Sequence, residues 1–400
     1  MTIENIQCSR CLYLSDHPLG LILDSKGVCS GCIVHEEKDS LDWSSRFADL
    51  KKLTNSYKLK TSNNYDCIVP VTGGQDTFFT VHTVINDLGL NPLLVNFNRN
   101  FNSSQGIKNL ATLRTSFLAD FRQFTINPMI AKKVIRTTLA NLGTVNWLWI
   151  AGQTSLPVRM ANQLGIPLII WGAHQGIEQV GMFSHTDEVE MTSRYRKEHD
   201  LMGIDEVNIF DFDPDFKPED INSIGYPNDD TLQRNGTRGI YLSNFIRWDP
   251  VSQHEFVREK YGYIGRKSRR TYYEFDNPDC PVYFEFQDLL KTKRVGYGKV
   301  TDQLVRDIRH KRIDKNRACE IEREYFGRPA QGIDDFASWL GISAKSFDSI
   351  LLRHSKDFDQ QILTENWRSS LGNFWSENDL LGNDNSQLID KDFTNIGKGI

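Results

Sequence analysis

The sequence predicts an α/β fold: a parallel sheet with helices on both faces, preceded by a small cysteine-rich segment and followed by a mainly helical region. Three observations predict it. From Tyr65 onward, apolar runs of strand length alternate with segments of helical apolar spacing. A Gly-Gly corner, Thr72-Gly-Gly-Gln-Asp-Thr77, joins the first strand to the first helix. Four of the seven cysteines fall within the first 32 residues, ahead of that alternation.

Composition sets the frame. Four hundred residues with 39% hydrophobic and 11% aromatic content can build two or three packed units. No run of eighteen apolar residues occurs, and the first residues lack the basic-then-apolar plan of a signal peptide. A cytoplasmic protein with no membrane partner is expected. The net charge of -5 speaks against nucleic acid as a general partner.

Taken in order, the chain opens with Cys8-Ser-Arg-Cys11 and Cys29-Ser-Gly-Cys32, two CxxC knuckles with seventeen residues between them. Cys8, Cys11, Cys29 and Cys32 have the spacing of a four-thiolate zinc site, structural because a filled shell leaves no position for water. Disulfides and an iron–sulfur cluster are the alternatives, the former disfavoured in a reducing compartment. Cys67, Cys280 and Cys319 are scattered, and Cys67 reads as a buried inert thiol. Residues 41–64, with Trp43, Phe47 and Leu50, read as a helical connector behind a knuckle at 1–40.

Residues 65–240 carry the sheet. Asp66–Val71 reads as its first strand and Phe78–Leu88 as a helix. Two glycines at such a corner let backbone approach a ligand, and the new helix points its first N–H groups at it, so an anion is expected there. Pro92–Phe97 and Phe121–Ile126 read as further strands, with helices at Gln105–Leu118 and Met129–Leu142. A helix at Leu156–Leu164 then leads to a strand at Ile166–Trp171, ending in Gly172-Ala-His-Gln175. Ligands of such sheets bind beyond the carboxyl ends of the strands. That rule gathers Thr72–Thr77, Asn96–Asn98 and Gly172–Gln175 on one rim. Residues 178–240, rich in Asp, Asn and Gly, read as an insertion over the rim, its acidic residues solvated rather than metal-binding.

Residues 241–358 read as a helical region, and 359–400 as a loosely ordered tail. Between Lys291 and Arg328 stand twelve Lys or Arg against six Asp or Glu, an excess that suits an anionic ligand. Val295-Gly-Tyr-Gly298 reads as a close-approach turn flanked by Lys293, Arg294 and Lys299, and Thr301–Ile313 as a helix presenting Arg306 and Arg309. Ile333–Ile350 has the outline of a helix-turn-helix, but three Asp and a single Lys suit internal packing better than DNA.

The loop Thr72–Thr77 resembles the Ser-Gly-Gly-x-Asp-Ser/Thr loop of PP-loop ATP pyrophosphatases, with Thr72 for Ser and Gln75 where Lys is common. Together with the paired CxxC, Asn102-Ser-x-x-Gly106-x-x-Asn109, Trp248-Asp249 and the Lys293–Arg309 block, it resembles the N-acetyl sugar amidotransferase family. That family acts in bacterial surface-polysaccharide and flagellin-glycan pathways. The resemblance implies an adenine-nucleotide α-hydrolase-like fold, with ATP, Mg2+ and Zn2+ as cofactors. It implies ATP binding by Val71, Thr72, Gly73, Gly74, Gln75, Asp76, Thr77, Asn96 and Gly172, with Asp76 anchoring magnesium. Lys293, Arg294, Gly296, Tyr297, Gly298, Lys299, Asp302, Arg306 and Arg309 would meet the sugar substrate and its phosphates, with Asp76, Lys293 and Tyr297 as catalytic groups.

The activity so implied adenylates the carbonyl oxygen of an N-acetyl group on a nucleotide-linked sugar and displaces AMP with ammonia, giving an acetamidino group. No cysteine here has the setting of a glutaminase nucleophile, so the resemblance implies partners like the glutaminase and cyclase subunits of imidazole glycerol phosphate synthase. A tRNA thiolase and a zinc-knuckle nucleic-acid-binding module are the alternatives. The first needs sulfur-handling cysteines or a cluster near the loop and a broad basic face, and the second rests on the Ile333–Ile350 pattern, whose charge is wrong for DNA.

Overall fold

The computed structural model describes residues 5–58, 64–213, 215–276, 279–356 and 393–395. α1 (Ser30–Glu37) closes the cysteine segment and α2 (Trp43–Lys58) leads to the sheet. There follow β1 (Cys67–Pro70), α3 (Gln75–His82), β2 (Pro92–Asn98), β3 (Phe101–Ser103), α4 (Ser104–Ser116), β4 (Phe121–Thr125), α5 (Pro128–Leu142), α6 (Trp147–Leu164) and β5 (Leu168–Trp171). The short helices α7 (Ser193–Tyr195), α8 (Pro218–Ile221) and α9 (Asp229–Asn235) precede β6 (Arg238–Tyr241). α10 (Pro250–Tyr261), α11 (Pro281–Val295), α12 (Lys299–Arg309), α13 (Lys315–Tyr325), α14 (Ile333–Leu340) and α15 (Ala344–Arg353) form the rest, and β7 (Phe393–Asn395) lies antiparallel to β3. Beyond β7, the expected tail lies outside the described residues.

The main sheet has the order β4-β2-β1-β5-β6, and every neighbouring pair is parallel. Parallel strands need crossovers, and helices supply them on both faces. Alternate residues of one strand therefore enter different cores. Ile68, Leu93, Val95 and Phe97 pack under α5 and α6, whereas Cys67, Val69, Val71 and Leu94 pack under α2, α3 and α10. The doubly wound α/β class expected from the sequence holds. The order in which strands are added to the sheet reverses between β1 and β5, and the crevice at that switch is where such folds bind ligands. The Thr72–Thr77 loop follows β1 directly.

Several elements differ from the expected ones, the short strands β3 and β7 among them. α6 begins nine residues before the expected Leu156, because Trp147, Leu148 and Trp149 are buried whatever their face and give no amphipathic signal. β6 was not expected at all, being four residues with an internal glycine. Within the segment 178–240, Asp211, Asp215, Asp229 and Asp230 are exposed. The segment also buries Leu201, Ile209, Phe216, Ile221, Ile224 and Leu232 in the main core. α14 and α15 likewise bury Phe336, Leu340, Phe347 and Ile350, the packing role expected for 333–350.

The carboxyl-terminal region is docked through the Asn102–Asn109 motif. Ser103 caps α4, its Oγ accepting from the Gly106 N–H at 2.9 Å, while its own N–H donates to the Asp279 carbonyl at 2.8 Å. Asn109 Nδ2 donates to the Ile264 carbonyl at 2.8 Å. A Cβ on Gly106 would come within 2.4 Å of Asp279 Cα, so only glycine allows this approach. Gly106→Ala is expected to destabilise by about 1–3 kcal/mol and to displace Asp279, which lines the pocket described next. Thermal melting of this variant reads the effect; an unchanged melting temperature would show that the contact relaxes without cost.

Candidate active site

The loop after β1 is built by its two glycines. Gly73 has φ +83°, and a Cβ there would lie 3.2 Å from Leu110 Cα, so neither its conformation nor its packing admits a side chain. Gly74 starts α3, with its N–H donating to Thr72 Oγ1 at 3.2 Å and its carbonyl accepting from Thr77 Oγ1 at 2.8 Å. The loop side chains are tied back, and the amino end of α3 faces a cavity of about 440 Å³.

That cavity has four sides. The loop gives Val71, Thr72, Gly74, Gln75, Asp76 and Thr77. The β2 side gives Val95, Phe97 and Arg99, with Gln153 of α6 and Asp279. The β5 and β6 side gives Trp171, Gly172, Ala173, Gln175 and Tyr241, and the roof is Trp248, Phe275, Asp276, Lys299 and Arg306 with Glu178. Asp76 is open to the cavity and enclosed by protein elsewhere, its Oδ1 accepting from the Thr77 N–H at 2.9 Å. Burial raises its carboxyl above the ordinary value; the Thr77 N–H opposes the rise, the Asp276 carboxylate adds to it and Lys299 opposes it again. Asp279 and Glu178 line the cavity as well, and of the four carboxylates the interacting pair Asp76 and Asp276 is a place for a cation.

Opposite the loop stand two cations. Lys299 Nζ lies 3.6 Å from Asp276 Oδ2, and Arg306 Nη2 donates to Gln175 Oε1 at 3.3 Å. Burial works against the Arg306 charge, but Asp276, Tyr13 and Asp302 hold it above its ordinary value. A loop that carries Gln75 instead of lysine thus faces positive charge brought from α12.

The other sequence-selected residues fall elsewhere. Asn96 does not line the cavity: strand alternation points it away from Val95 and Phe97, and its Nδ2 donates to the Val71 carbonyl at 2.7 Å, bracing the loop. Arg294 donates to the Leu142 carbonyl at 3.0 Å and to that of Gly143, closing the end of α5. Lys293 is exposed at the end of α11, Gly296 caps that helix at φ +83°, and Gly298 precedes α12. Tyr297 stacks on His17 beside Tyr13, away from the cavity. Asp302 accepts from Tyr13 Oη at 2.8 Å, Gln179 Nε2 at 3.0 Å and Lys291 Nζ at 2.6 Å, a buried strut. Arg309 Nη1 donates to the Gln179 carbonyl at 2.8 Å and its Nη2 to Cys29 Sγ at 3.7 Å. Most of the basic excess is spent in such pairs, including Arg312 with Asp249 and Lys315 with the Cys8 carbonyl. Of the nine residues assigned to the sugar and its phosphates, only Lys299 and Arg306 reach the cavity.

The four-cysteine segment is the second candidate centre. The Sγ atoms of Cys8, Cys11, Cys29 and Cys32 all lie within 4.8 Å of one another, buried, and are the one such metal-ligating group among the described residues. The Cys29 N–H donates to Cys8 Sγ at 3.2 Å and the Arg10 N–H to the same sulfur at 3.4 Å. Amide donors on sulfur and the Arg309 guanidinium suit a cluster of thiolates, so the donor set fits a tetrahedral metal ion. Val300, Leu304 and Val305 of α12 pack against this knuckle, while Lys299 and Arg306 of the same helix enter the cavity.

Sequence reasoning missed Arg99, Gln153, Asp276 and Asp279. No motif contains them, and the cavity collects them only through the fold. Trp248 had a signal, the Trp-Asp pair, whose tryptophan lines the cavity while Asp249 caps α10. Among the described residues, no helix is long and apolar enough to cross a membrane.

Comparison with known proteins bears on the roof of the cavity. Among solved structures, the NMN synthetase from Francisella tularensis is similar at 13% identity and a TM-score of 0.29, over 55% of this chain and 96% of that chain, a likeness too slight to say more. No curated protein matches the sequence. Residues 244–369 match the family described as LPS biosynthesis protein WbpG-like, C-terminal domain. The residues matched by that family model include Lys299 and Arg306, which face the Thr72–Thr77 loop across the cavity.

Proposed function

We propose that the protein is an ATP-dependent, AMP-forming amidotransferase that converts an N-acetyl group of a nucleotide-linked sugar to an acetamidino group. One observation carries the reading: a Gly-Gly-x-Asp loop at the switch point of a doubly wound sheet faces Lys299 and Arg306, which lie in the region that matches a lipopolysaccharide-biosynthesis domain family. An amide carbonyl is a poor electrophile. Its oxygen attacks the α-phosphorus of ATP, pyrophosphate leaves, ammonia adds to the activated carbon, and AMP departs with the former acetyl oxygen while a proton passes to solvent.

The chain's part is positioning and charge. The loop and the amino end of α3 hold the outer phosphates, and Lys299 and Arg306 offset the charge that grows on pyrophosphate. Asp76 and Asp276 would hold a magnesium ion, which neutralises phosphate oxygens when bound. The four thiolates would hold zinc as a structural ion. Ammonia would come from a separate glutaminase with a cyclase-like subunit. A thiolase reading lacks its sulfur carrier: Cys67 is fully buried and raised by that burial, and Cys280 is pushed up to about 12 the same way.

Incubation with ATP, magnesium, ammonium and nucleotide-linked N-acetyl sugars is expected to release AMP and yield a product one mass unit lighter than the substrate. With an 18O-labelled acetyl group, the label should appear in AMP. Glutamine should not replace ammonium. Label remaining in the sugar, or glutamine-dependent turnover by the pure chain, would overturn the corresponding part of the reading.

A further inference from the structure

Behind the β5 and β6 side of the cavity lies a second one of about 310 Å³. Thr154, Trp171, Ala173, Gln175 and Tyr241 line both, so the two adjoin along these residues. The inner chamber is walled by aromatic rings: Trp171 and Tyr241 at the carboxyl ends of β5 and β6, Tyr195 from α7, and Tyr226 from the turn before α9. His174, fully buried, fixes two of these walls from behind, its ring 4.4 Å from that of Tyr195 and 4.7 Å from that of Tyr241.

Polar groups are few and placed. The Asp200 carboxylate belongs to the chamber, and no hydrogen bond or ion pair to it is found among the described residues. Arg196, the cation nearest to hand, is held by Glu206 at 2.9 Å and Thr154 Oγ1 at 2.8 Å, its guanidinium 4.7 Å over the Tyr226 ring. Trp171 Nε1 and the Tyr226 hydroxyl are buried without a partner, and such groups are costly unless a ligand or solvent answers them.

We propose, on the basis of the amidotransferase reading, that this chamber seats the sugar ring of the acceptor, its C–H face against Trp171 and Tyr241 and a ring hydroxyl donating to Asp200. The chemistry matches point by point. A pyranose has apolar faces and a polar edge, which aromatic walls with a single carboxylate complement. Size excludes the simpler occupant: roughly ten water volumes are far more than ammonium needs, so the chamber is not merely a cage for the nucleophile. Position fits as well. A ring seated here projects a substituent through the shared wall toward the loop, where the carbonyl must meet the α-phosphorus. The nucleotide keeps the far side, between Val95, Phe97 and the loop. None of the residues that the sequence pattern assigned to the sugar lies in this chamber.

The test uses the full-length, metal-loaded protein with UDP-N-acetylglucosamine and GDP-N-acetylglucosamine as probes, and UDP, GDP and ATP as comparators. Saturation-transfer NMR on the parent should mark the sugar ring protons. Asp200→Asn and Tyr195→Ala should each lower the affinity of the sugar nucleotide about tenfold or more, to that of the bare nucleotide, with ATP affinity unchanged. Asp200→Asn should fold normally, since burial already pushes that carboxyl up to about 7 against its ionised form. Unchanged sugar affinity in both variants, loss of ATP affinity in their place, or a parent that binds the sugar nucleotides no better than the bare ones would each overturn the assignment. Acceptor-dependent AMP release with no sugar contact at these rings would sink the chamber and leave the amidotransferase reading standing. A sugar seated in the chamber with no acceptor-dependent AMP would do the reverse.

Discussion

On the proposed reading, in which the four cysteines hold a metal ion, chelation is expected to abolish AMP formation and lower the melting temperature together, although no cysteine of that site lines the cavity. Four buried thiols within 4.8 Å of one another form the centre of the knuckle core, and α12 is its wall. Structural zinc sites of this kind contribute on the order of 10 kcal/mol to folding, as much as a whole domain's net stability. Without the ion, the sulfurs take up protons and Arg309 loses its anionic neighbour. Val300, Leu304 and Val305 then lose the surface they cover, and Lys299 and Arg306 on the same helix lose their aim. Chelation followed by melting, metal release and AMP assays reads all three. A metal-free chain that remains folded and fully active would reduce the site to an ornament of the amino terminus.

Asp76→Asn is expected to cut AMP formation about a hundredfold or more, the usual worth of one well-placed electrostatic group, while leaving the metal-free fold intact or slightly firmer. The sign follows from the raised carboxyl. The folded chain holds the Asp76 proton to higher pH than the unfolded chain does. The group's contribution therefore declines as pH rises from the ordinary carboxylate value, about 3.9, through the raised one, and at neutral pH the ionised group is a net cost. Asparagine removes that cost and keeps an oxygen for the Thr77 N–H, at the loss of a helix-dipole term of about 0.3–1 kcal/mol. Calorimetry without magnesium at pH 5 and pH 8 should show the parent's deficit relative to the variant growing with pH. Undiminished AMP formation would remove Asp76 from the chemistry, and a variant unstable at both pH values would make it a helix-start residue.

The sheet and the loop were legible because their signals are local. Alternation of strand and helix spacing, two glycines at a corner and paired CxxC spacings each state a geometry within a few residues. The far wall of the cavity was not legible, because its signal is rotational. Along Lys293–Arg309 every basic residue has the same chemical claim on a phosphate, and only the facing of α11 and α12 separates Lys299 and Arg306 from Arg294, which closes a helix end, and Arg309, which serves the thiolates. Asn96 failed for a related reason: its position at the strand end was right and its side of the strand was not. The aromatic chamber was hidden differently. Trp171, Tyr195, Tyr226 and Tyr241 come from four separate elements, and no window of sequence contains two of them at a telling distance.

The Thr72–Thr77 loop and the cations that face it enter the cavity from distant parts of the chain. A ribosome therefore releases the loop long before it has made α12, and the early product has only half of the cavity lining. On the proposed reading such a chain could offer backbone to a nucleotide but would have neither Lys299 nor Arg306 to offset the charge on pyrophosphate. Synthesis order would then act as a safety catch against spending ATP before the cavity is complete.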